Sequence, residues 1–525
     1  MKRFFEIKKQ VVNLFGFFTL MGMIVLAVVI KERDIQNPSG AQNLEATYHA
    51  LLTIESLRQN DIREHWLLPI VTLGQDNDAF IPWGATVPTN SGRYIYTSFT
   101  PCGFLLPYMV FEMLDLKATV KNLARMNMTI GAIAGIALYF LVIRLLLQLG
   151  LSRRLTIVAA LTSVSIAFFS REALLATGII YWPHALYQIM LLASLHLLFN
   201  ILTEPVGSRS WRVSSRILYL SLFLGAWTEW TGYVFNLGLV FILWFQTDKP
   251  ELRKLALKVI VVTTCAGLVT LLHYGLAVGF QESSHAFIGR FFARSTQSGS
   301  FSELIGGYGL SYGIYLLVVL VVIIKGYLFG AGSAQSAINN QQAAIIPLVL
   351  LASILPLIEN LIMLQHATEF SFDRLKFIIP SAIVIALAFT NRGVWLRLFV
   401  VTSIALAGVH GYKTHQNNMN HYSEWSRHHQ ANIALVERLM TQVDLNCATF
   451  ASNLGVRGYA NLLIGRSIYE YKSLDQALAL NEQRGGCAAI FLEGRWVFPD
   501  LQRYSQAIVT WPNGRRIILA EGDIR

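Results

Sequence analysis

Between Val11 and His410 the chain carries eleven apolar runs, near residues 11–30, 126–149, 155–170, 182–202, 216–229, 231–246, 257–279, 306–328, 343–363, 376–391 and 396–410. A helix rising 1.5 Å per residue needs about 20 apolar residues to cross roughly 30 Å of hydrocarbon. In lipid every backbone polar group must find its partner within the protein, so such runs are helical. The repetition predicts an α-helical integral membrane protein with about 11 transmembrane helices. The two runs flanking Glu229 are among the shortest. Composition agrees, since 54% of the 525 residues are hydrophobic and only 14% are charged, and mean hydropathy is +0.48.

A net charge of +11 raises the question of a nucleic-acid partner. The cations lie in short clusters between apolar runs instead of forming one basic face, so they read as topology signals and no nucleic acid is expected. With the N-terminus in the cytoplasm, the inside loops carry Lys8 and Lys9, then Arg153 and Arg154, then Arg209, Arg212 and Arg216, then Lys249, Arg253, Lys254 and Lys258, then Arg392 and Arg397. Every short basic cluster then falls on the inner side. The first run is too long for a signal-peptide core and KERD follows it without a small-x-small cleavage pattern, so it reads as an uncleaved anchor.

The segment TPCGFLLPYMVFEML (100–114) tests this count, because it is apolar but only fifteen residues long and holds Pro101, Gly103 and Pro107. Counting it as a span would put every later basic cluster outside. It therefore reads as a re-entrant or interfacial helix within a long first outer loop, 31–125. Odd parity leaves the tail, 411–525, on the outer side, the periplasm of a bacterium whose inner membrane holds the spans. The tail changes character: a helix around 421–443, an apolar run CATFAS, a helix around 474–481 and a second apolar run CAAIFLEG. Alternating strands and helices predict a small α/β domain with a partly parallel sheet, beside a transmembrane domain of residues 1–410. Cys447 and Cys487 begin the two predicted strands, and an oxidising outer compartment would permit a bridge between them.

Ionisable groups retained near hydrocarbon are the functional candidates. In the first loop these are Asp34, Glu45, His49, Asp61, Glu64 and Arg93; elsewhere they are Glu172, His184, Glu229, Glu282, Arg290, Arg294, Glu359, His366, Glu369, Asp373, Arg374 and Lys376. Glu45 and His49 are four apart in NLEATYHALLTIESL (43–57) and share one face of an amphipathic helix. That pair is either a solvated surface charge or a chemical group, and two ligands alone do not define a metal site. Tyr94 and Tyr96 read as interfacial anchors or substrate contacts. Arg290 and Arg294 have helical i, i+4 spacing, suited to a lipid-linked phosphate or to lipid headgroups. Glu359 lies nominally in hydrocarbon, where a buried hydrogen-bonded role is favoured. His366, Arg374 and Lys376 suit either phosphate neutralisation or positioning of the tenth span.

The arrangement resembles the GT-C superfamily of membrane glycosyltransferases, which includes protein O-mannosyltransferases, aminoarabinose transferases and rhizobial-type galacturonosyltransferases. EATYHALL (45–52) resembles the Asp-Glu-Ala-x-Tyr opening of that family's first outer loop, with Leu44 where Asp is frequent. YTSFTPCGFLLPYMVF (96–111) resembles its later Tyr-x-x-x-x-Pro-x-x-x-x-Leu-Pro element, and GAWTEWTGYVF (225–235) is similar to a stretch between two middle spans.

The resemblance implies transfer of a hexosyl or pentosyl group from a polyprenyl-phosphate donor to an outer acceptor, which is lipopolysaccharide, another glycolipid or a protein. Because the phosphate leaves without protonation by a strong acid, one carboxylate suffices, as general base for the acceptor, and the anomeric centre inverts. The resemblance implies Glu45 as that base, with Asp34 and Asp61 as substitutes. Arg290, Arg294, His366 and Arg374 are the candidates for the phosphate, and His49, Tyr96, Glu229 and Glu359 are further substrate-site candidates. A divalent metal is an alternative source of positive charge at the departing phosphate. The competing functional classes are an O-antigen polymerase or ligase and a polysaccharide or lipid transporter. The absence of an obvious internal repeat and the gathering of charges at one mouth of the bundle weigh against transport.

Overall fold

The apolar runs are helical in the computed structural model of the protein, and where they break, a proline, a glycine or a polar side chain marks the place. The structure describes the chain apart from residues 1, 37, 39–40, 75–84, 246–249, 297–298, 330–339, 392, 422, 445–446, 454–457, 495, 499–500, 503–505 and 521–525, so that Lys249 and Arg392 of the basic clusters lie outside the described residues. Six helices are long and apolar enough to cross a bilayer: Leu14–Gln36, Val120–Gln148, Pro183–Thr203, Pro250–Val278, Ile345–Ile362 and Val394–Asn420. A seventh span results if Phe301–Tyr312 and Ile314–Lys325, bent by 105°, are taken together.

By length and composition, six or seven of the about eleven expected spans meet this test among the described residues. The other runs miss it for local reasons. The run at 155–170 is divided at Ser165 into Arg153–Val164 and Ile166–Phe169. The run at 376–391 yields the ten-residue helix Ile378–Leu387 and a 3-10 turn. Thr231–Phe245 spans only ~22 Å at helical rise, and Arg209–Thr228 carries three arginines in its first half.

The chain divides into two compact units. The first, residues 1–33, 124–270 and 291–417, contains most of the spans. Pro183–Thr203 packs on Arg209–Thr228 as a hairpin, with Ser194 Oγ and Ser221 Oγ 2.9 Å apart. Between the short helix Arg171–Ala176 and the start of Pro183–Thr203 the backbone is irregular and buried, and its carbonyls need donors. Asn127 provides them: its amide donates to the carbonyls of Ala176, Gly178 and Ile180 at 3.1, 3.0 and 2.8 Å. Lys31 Nζ donates to Thr177 Oγ1 at 2.7 Å in the same place. The sharp bend after Tyr312 is made by Gly313, whose φ of 50° and ψ of −118° suit glycine. A β-carbon there would come within 2.7 Å of the His410 ring.

The second unit comprises residues 34–123, 271–290 and 418–525. The amphipathic helix expected in the first loop is Leu44–Gln59, and the proline-containing segment is the twelve-residue helix Cys102–Met113, only ~18 Å long. Arg58 ties the two, donating to Glu112 Oε1 at 2.5 Å and to the Leu116 carbonyl at 2.8 Å. The hairpin of β1 (Thr86–Pro88) and β2 (Tyr94–Tyr96) lies in the same loop. Tyr274, near the end of Pro250–Val278, donates from its hydroxyl to the carbonyls of Phe99 at 2.8 Å and Tyr96 at 3.2 Å. In the tail, β3 (Ala448–Ser452), β4 (Tyr469–Glu470), β5 (Ala488–Glu493), β6 (Trp496–Phe498), β7 (Leu501–Gln502), β8 (Gln506–Thr510) and β9 (Arg516–Ala520) appear in turn. A five-stranded sheet has the order β4-β3-β5-β8-β9, with β3 parallel to both β4 and β5 and the remaining pairs antiparallel. Helices Gly458–Ile464 and Leu474–Gln483 connect the parallel strands, and the first of these packs on Leu44–Gln59.

A disulfide joins Cys447 and Cys487 at the start of β3 and β5, with Cα atoms 5.3 Å apart. Thiol counting on the denatured, unreduced protein should therefore find two free thiols, Cys102 and Cys265; four would show that the bridge does not form. Gly313→Ala should lower the melting temperature by several degrees, because the new carbon meets the His410 ring at an unfavourable backbone angle, a cost of about 1–3 kcal/mol. Gly309→Ala, where the added carbon meets nothing within 4 Å, should leave stability unchanged or slightly raised in the same melt.

Candidate active site

Four carboxylates and three cations are buried together in the first unit: Glu172, Glu229, Glu359 and Asp373 with Arg171, Arg374 and Lys376. Local geometry brings them in. Residues Ser371–Phe377 wind as a 3-10 helix, in which side chains three apart eclipse. Asp373 and Lys376 therefore point the same way, with Lys376 Nζ 2.6 Å from Asp373 Oδ1. The ammonium also donates to Asn360 Oδ1 at 3.0 Å and to Glu359 Oε2, both on the proline-started helix Pro356–Ile362. Thr231 joins two acids, since its amide donates to Glu229 Oε2 at 3.0 Å and its hydroxyl to Glu359 Oε2 at 3.4 Å.

Pro183 begins its helix and sets His184 in the first turn. The imidazole Nε2 lies 2.5 Å from Asp373 Oδ1 and 3.9 Å from Glu229 Oε1. His366 stands beside it, the two rings stacked at 6.0 Å and 14°, with Nδ1 3.5 Å from Asp373 Oδ2. Burial, then the nearby Arg294 charge, pushes the His366 imidazole down to about 3, so it is neutral at physiological pH. Burial alone would raise the Asp373 carboxyl, but Lys376 and His184 outweigh it and hold the group well below the usual range.

Arg374 points the other way from Lys376. Its Nε donates to Ser311 Oγ and its Nη1 to the Ala367 carbonyl, both at 2.8 Å, and Nη2 lies 3.9 Å from Glu172 Oε2. Ser311 Oγ in turn donates to Glu172 Oε2 at 2.8 Å, and the Tyr312 hydroxyl donates to the Arg374 carbonyl at 2.6 Å. Burying ions costs several kcal/mol each unless every charge is paired and hydrogen-bonded. Of the sequence candidates, Glu172, His184, Glu229, Glu359, His366, Asp373, Arg374 and Lys376 thus meet in this cluster. Arg171, Ser311, Tyr312, Asn360 and Thr231 join them unannounced: each is a polar residue inside or beside an apolar stretch, the one signal that marks it.

Glu45, His49 and Tyr96 lie in the second unit. Glu45 is in the first turn of Leu44–Gln59, where the helix dipole favours a carboxylate. His49 follows one turn later, its ring 4.3 Å from that of Tyr96 and 5.9 Å from that of Phe104. Burial pushes the imidazole down to about 3. Burial and then the Glu45 charge hold the Tyr48 phenol above its usual range. Asp61 has a local task, its carboxylate accepting from the Arg63 amide at 2.8 Å as cap of Ile62–His65. Asp34 is buried. Arg290 and Arg294 lie four residues apart on the helix Phe280–Thr296, among the exposed Ile288, Phe291 and Phe292.

No protein-family model matches the chain, and no curated protein matches it in sequence. Solved structures do match in shape. The aminoarabinose transferase ArnT from Cupriavidus metallidurans bound to undecaprenyl phosphate superposes with a TM-score of 0.60 at 11% identity, over 95% of this chain and 97% of that one. Its apo state gives 0.53 at 12% identity over 95% and 98%. The archaeal oligosaccharyltransferase AglB from Archaeoglobus fulgidus, in complex with an inhibitory peptide and a dolichol-phosphate, gives 0.53 at 11% identity over 90% and 69%. At this identity the likeness is one of fold, and the chain has the fold that these solved structures share.

Proposed function

We propose that the protein is a membrane glycosyltransferase that moves a hexosyl or pentosyl group from a polyprenyl-phosphate donor to an outer acceptor, lipopolysaccharide, another glycolipid or a protein. The observation that carries this reading is the likeness, over nearly the whole of both chains, to an enzyme solved with undecaprenyl phosphate. The first-loop carboxylate Glu45, at the positive end of a helix, supports it. In the proposed step the acceptor hydroxyl or amine attacks the anomeric carbon as its proton passes to Glu45. The bond from that carbon to phosphate oxygen breaks with its electron pair leaving on the phosphate, and configuration inverts. His49, neutral and packed against Tyr96, keeps a second positive charge from lowering the basicity of the carboxylate one turn before it.

The departing polyprenyl phosphate needs cations. Arg290 and Arg294 are the proposed groups, two guanidiniums one helical turn apart on Phe280–Thr296; Arg374 bonds to Ser311, the Ala367 carbonyl and Glu172. His366 is neutral. In this reading Arg374 and Lys376 hold the cluster together rather than grip substrate. The Cys447–Cys487 bridge supports placing the tail in an oxidising compartment, the periplasm, with the N-terminus cytoplasmic and the spans in a bacterial inner membrane.

Intact membranes supplied with a panel of radiolabelled polyprenyl-phosphate sugars should transfer label to lipid or protein. Glu45→Gln should reduce transfer by about 100-fold or more with unchanged expression and membrane insertion; retained activity would move the role to another carboxylate. The charge-removing pair Arg290→Gln and Arg294→Gln should raise KM for the donor, and an unchanged KM would remove them from the phosphate. Lys376→Met should cost about 3–5 kcal/mol of stability by leaving buried carboxylates unpaired, and adding Glu359→Gln should restore part of that loss in the same thermal melt.

A further inference from the structure

We infer that His184, His366 and Asp373 form a binding site for one divalent transition-metal ion of the zinc type. It does not depend on the glycosyl-transfer reading, since it concerns what these three side chains bind. One ligand atom from each residue lies within 4.8 Å of the other two, and all three residues are buried. Two imidazoles and a carboxylate make up a frequent three-ligand set of open zinc sites, and nitrogen donors select zinc-type ions over magnesium. Tetrahedral bonds of 2.0–2.1 Å space their ligands by about 3.4 Å. Closing the set from 4.8 Å takes small side-chain rotations of two rings that already stack face to face.

A second observation points to the same ligand. Asp373 Oδ1 is occupied by Lys376 and His184. Its Oδ2 is buried and has no hydrogen-bond partner among the described residues, and it lies 3.5 Å from His366 Nδ1. A buried carboxylate oxygen without a hydrogen-bond partner is costly, and a metal ion is the partner that fits between an oxygen and two ring nitrogens. Lys376 does not block it, because its charge is shared between Glu359 and the far oxygen of Asp373.

The test uses the full-length protein purified in detergent, stripped with a chelator, loaded with Zn²⁺ and washed. Elemental analysis should find one equivalent per chain, with a melting temperature raised by several degrees. His366→Ala, which leaves the Lys376 and Asp373 pair in place, should retain less than a tenth of that metal. A wild-type protein with no bound metal overturns the proposal, as does a full equivalent in His366→Ala. If that variant fails to fold, Co²⁺ loading of the wild type decides: tetrahedral d–d absorption with nitrogen ligation supports the site, and octahedral or absent absorption refutes it. No donor sugar is present, so metal uptake without any transfer activity refutes only the enzymatic reading, and transfer by a protein that takes up no metal refutes only this site.

Discussion

A lysine buried between two acids organises the first unit. Lys376 has its ammonium against Glu359 and Asp373, and its backbone is part of a 3-10 turn that places Arg374 on the opposite side. From this turn one set of contacts runs through Asp373 to both imidazoles and on to Glu229. The other runs through Arg374 to Glu172, Ser311 and the end of the bent helix Phe301–Tyr312. Stretches far apart in sequence are thereby fixed relative to a segment of seven residues. Hydrophobic burial alone does not choose among ways of packing leucine-rich helices in lipid, whereas paired charges accept only one.

The helical membrane architecture was legible because the apolar run is a long signal and lipid allows it one reading. The first-loop helix and the short proline-containing helix were legible too, the first from its spacing and the second from its length. CATFAS and CAAIFLEG correspond to β3 and β5, since continuous apolar runs bounded by polar residues suit strands buried on both faces. The breaks within the runs were not legible. Hydropathy registers the apolar character of 155–170 but not the break at Ser165, which depends on what each half packs against.

The charged members of the polar cluster were legible and their pairing was not. Glu172, His184, Glu229, Glu359, His366, Asp373, Arg374 and Lys376 stand out as ions near hydrocarbon, but which meets which is set by contacts between residues far apart in sequence, His184 and Asp373 being separated by 189 positions. Sequence leaves Arg374 and Lys376 between neutralising a phosphate and positioning the tenth span. In the structure both bond to carboxylates and carbonyls, an arrangement set by hydrogen-bond geometry rather than by residue type.

The disulfide in the tail sets an order of events in the making of the protein. Cys487 is 40 residues beyond Cys447 and, among the described residues, follows every helix long and apolar enough to cross a membrane. The covalent closure of the β3 and β5 pair must therefore wait until all of those helices have left the ribosome. The part closed by that late bond includes helix Gly458–Ile464, which rests against the helix that carries Glu45. A chain whose spans are inserted remains, until that bond forms, a protein whose first loop has yet to receive a covalently fixed neighbour.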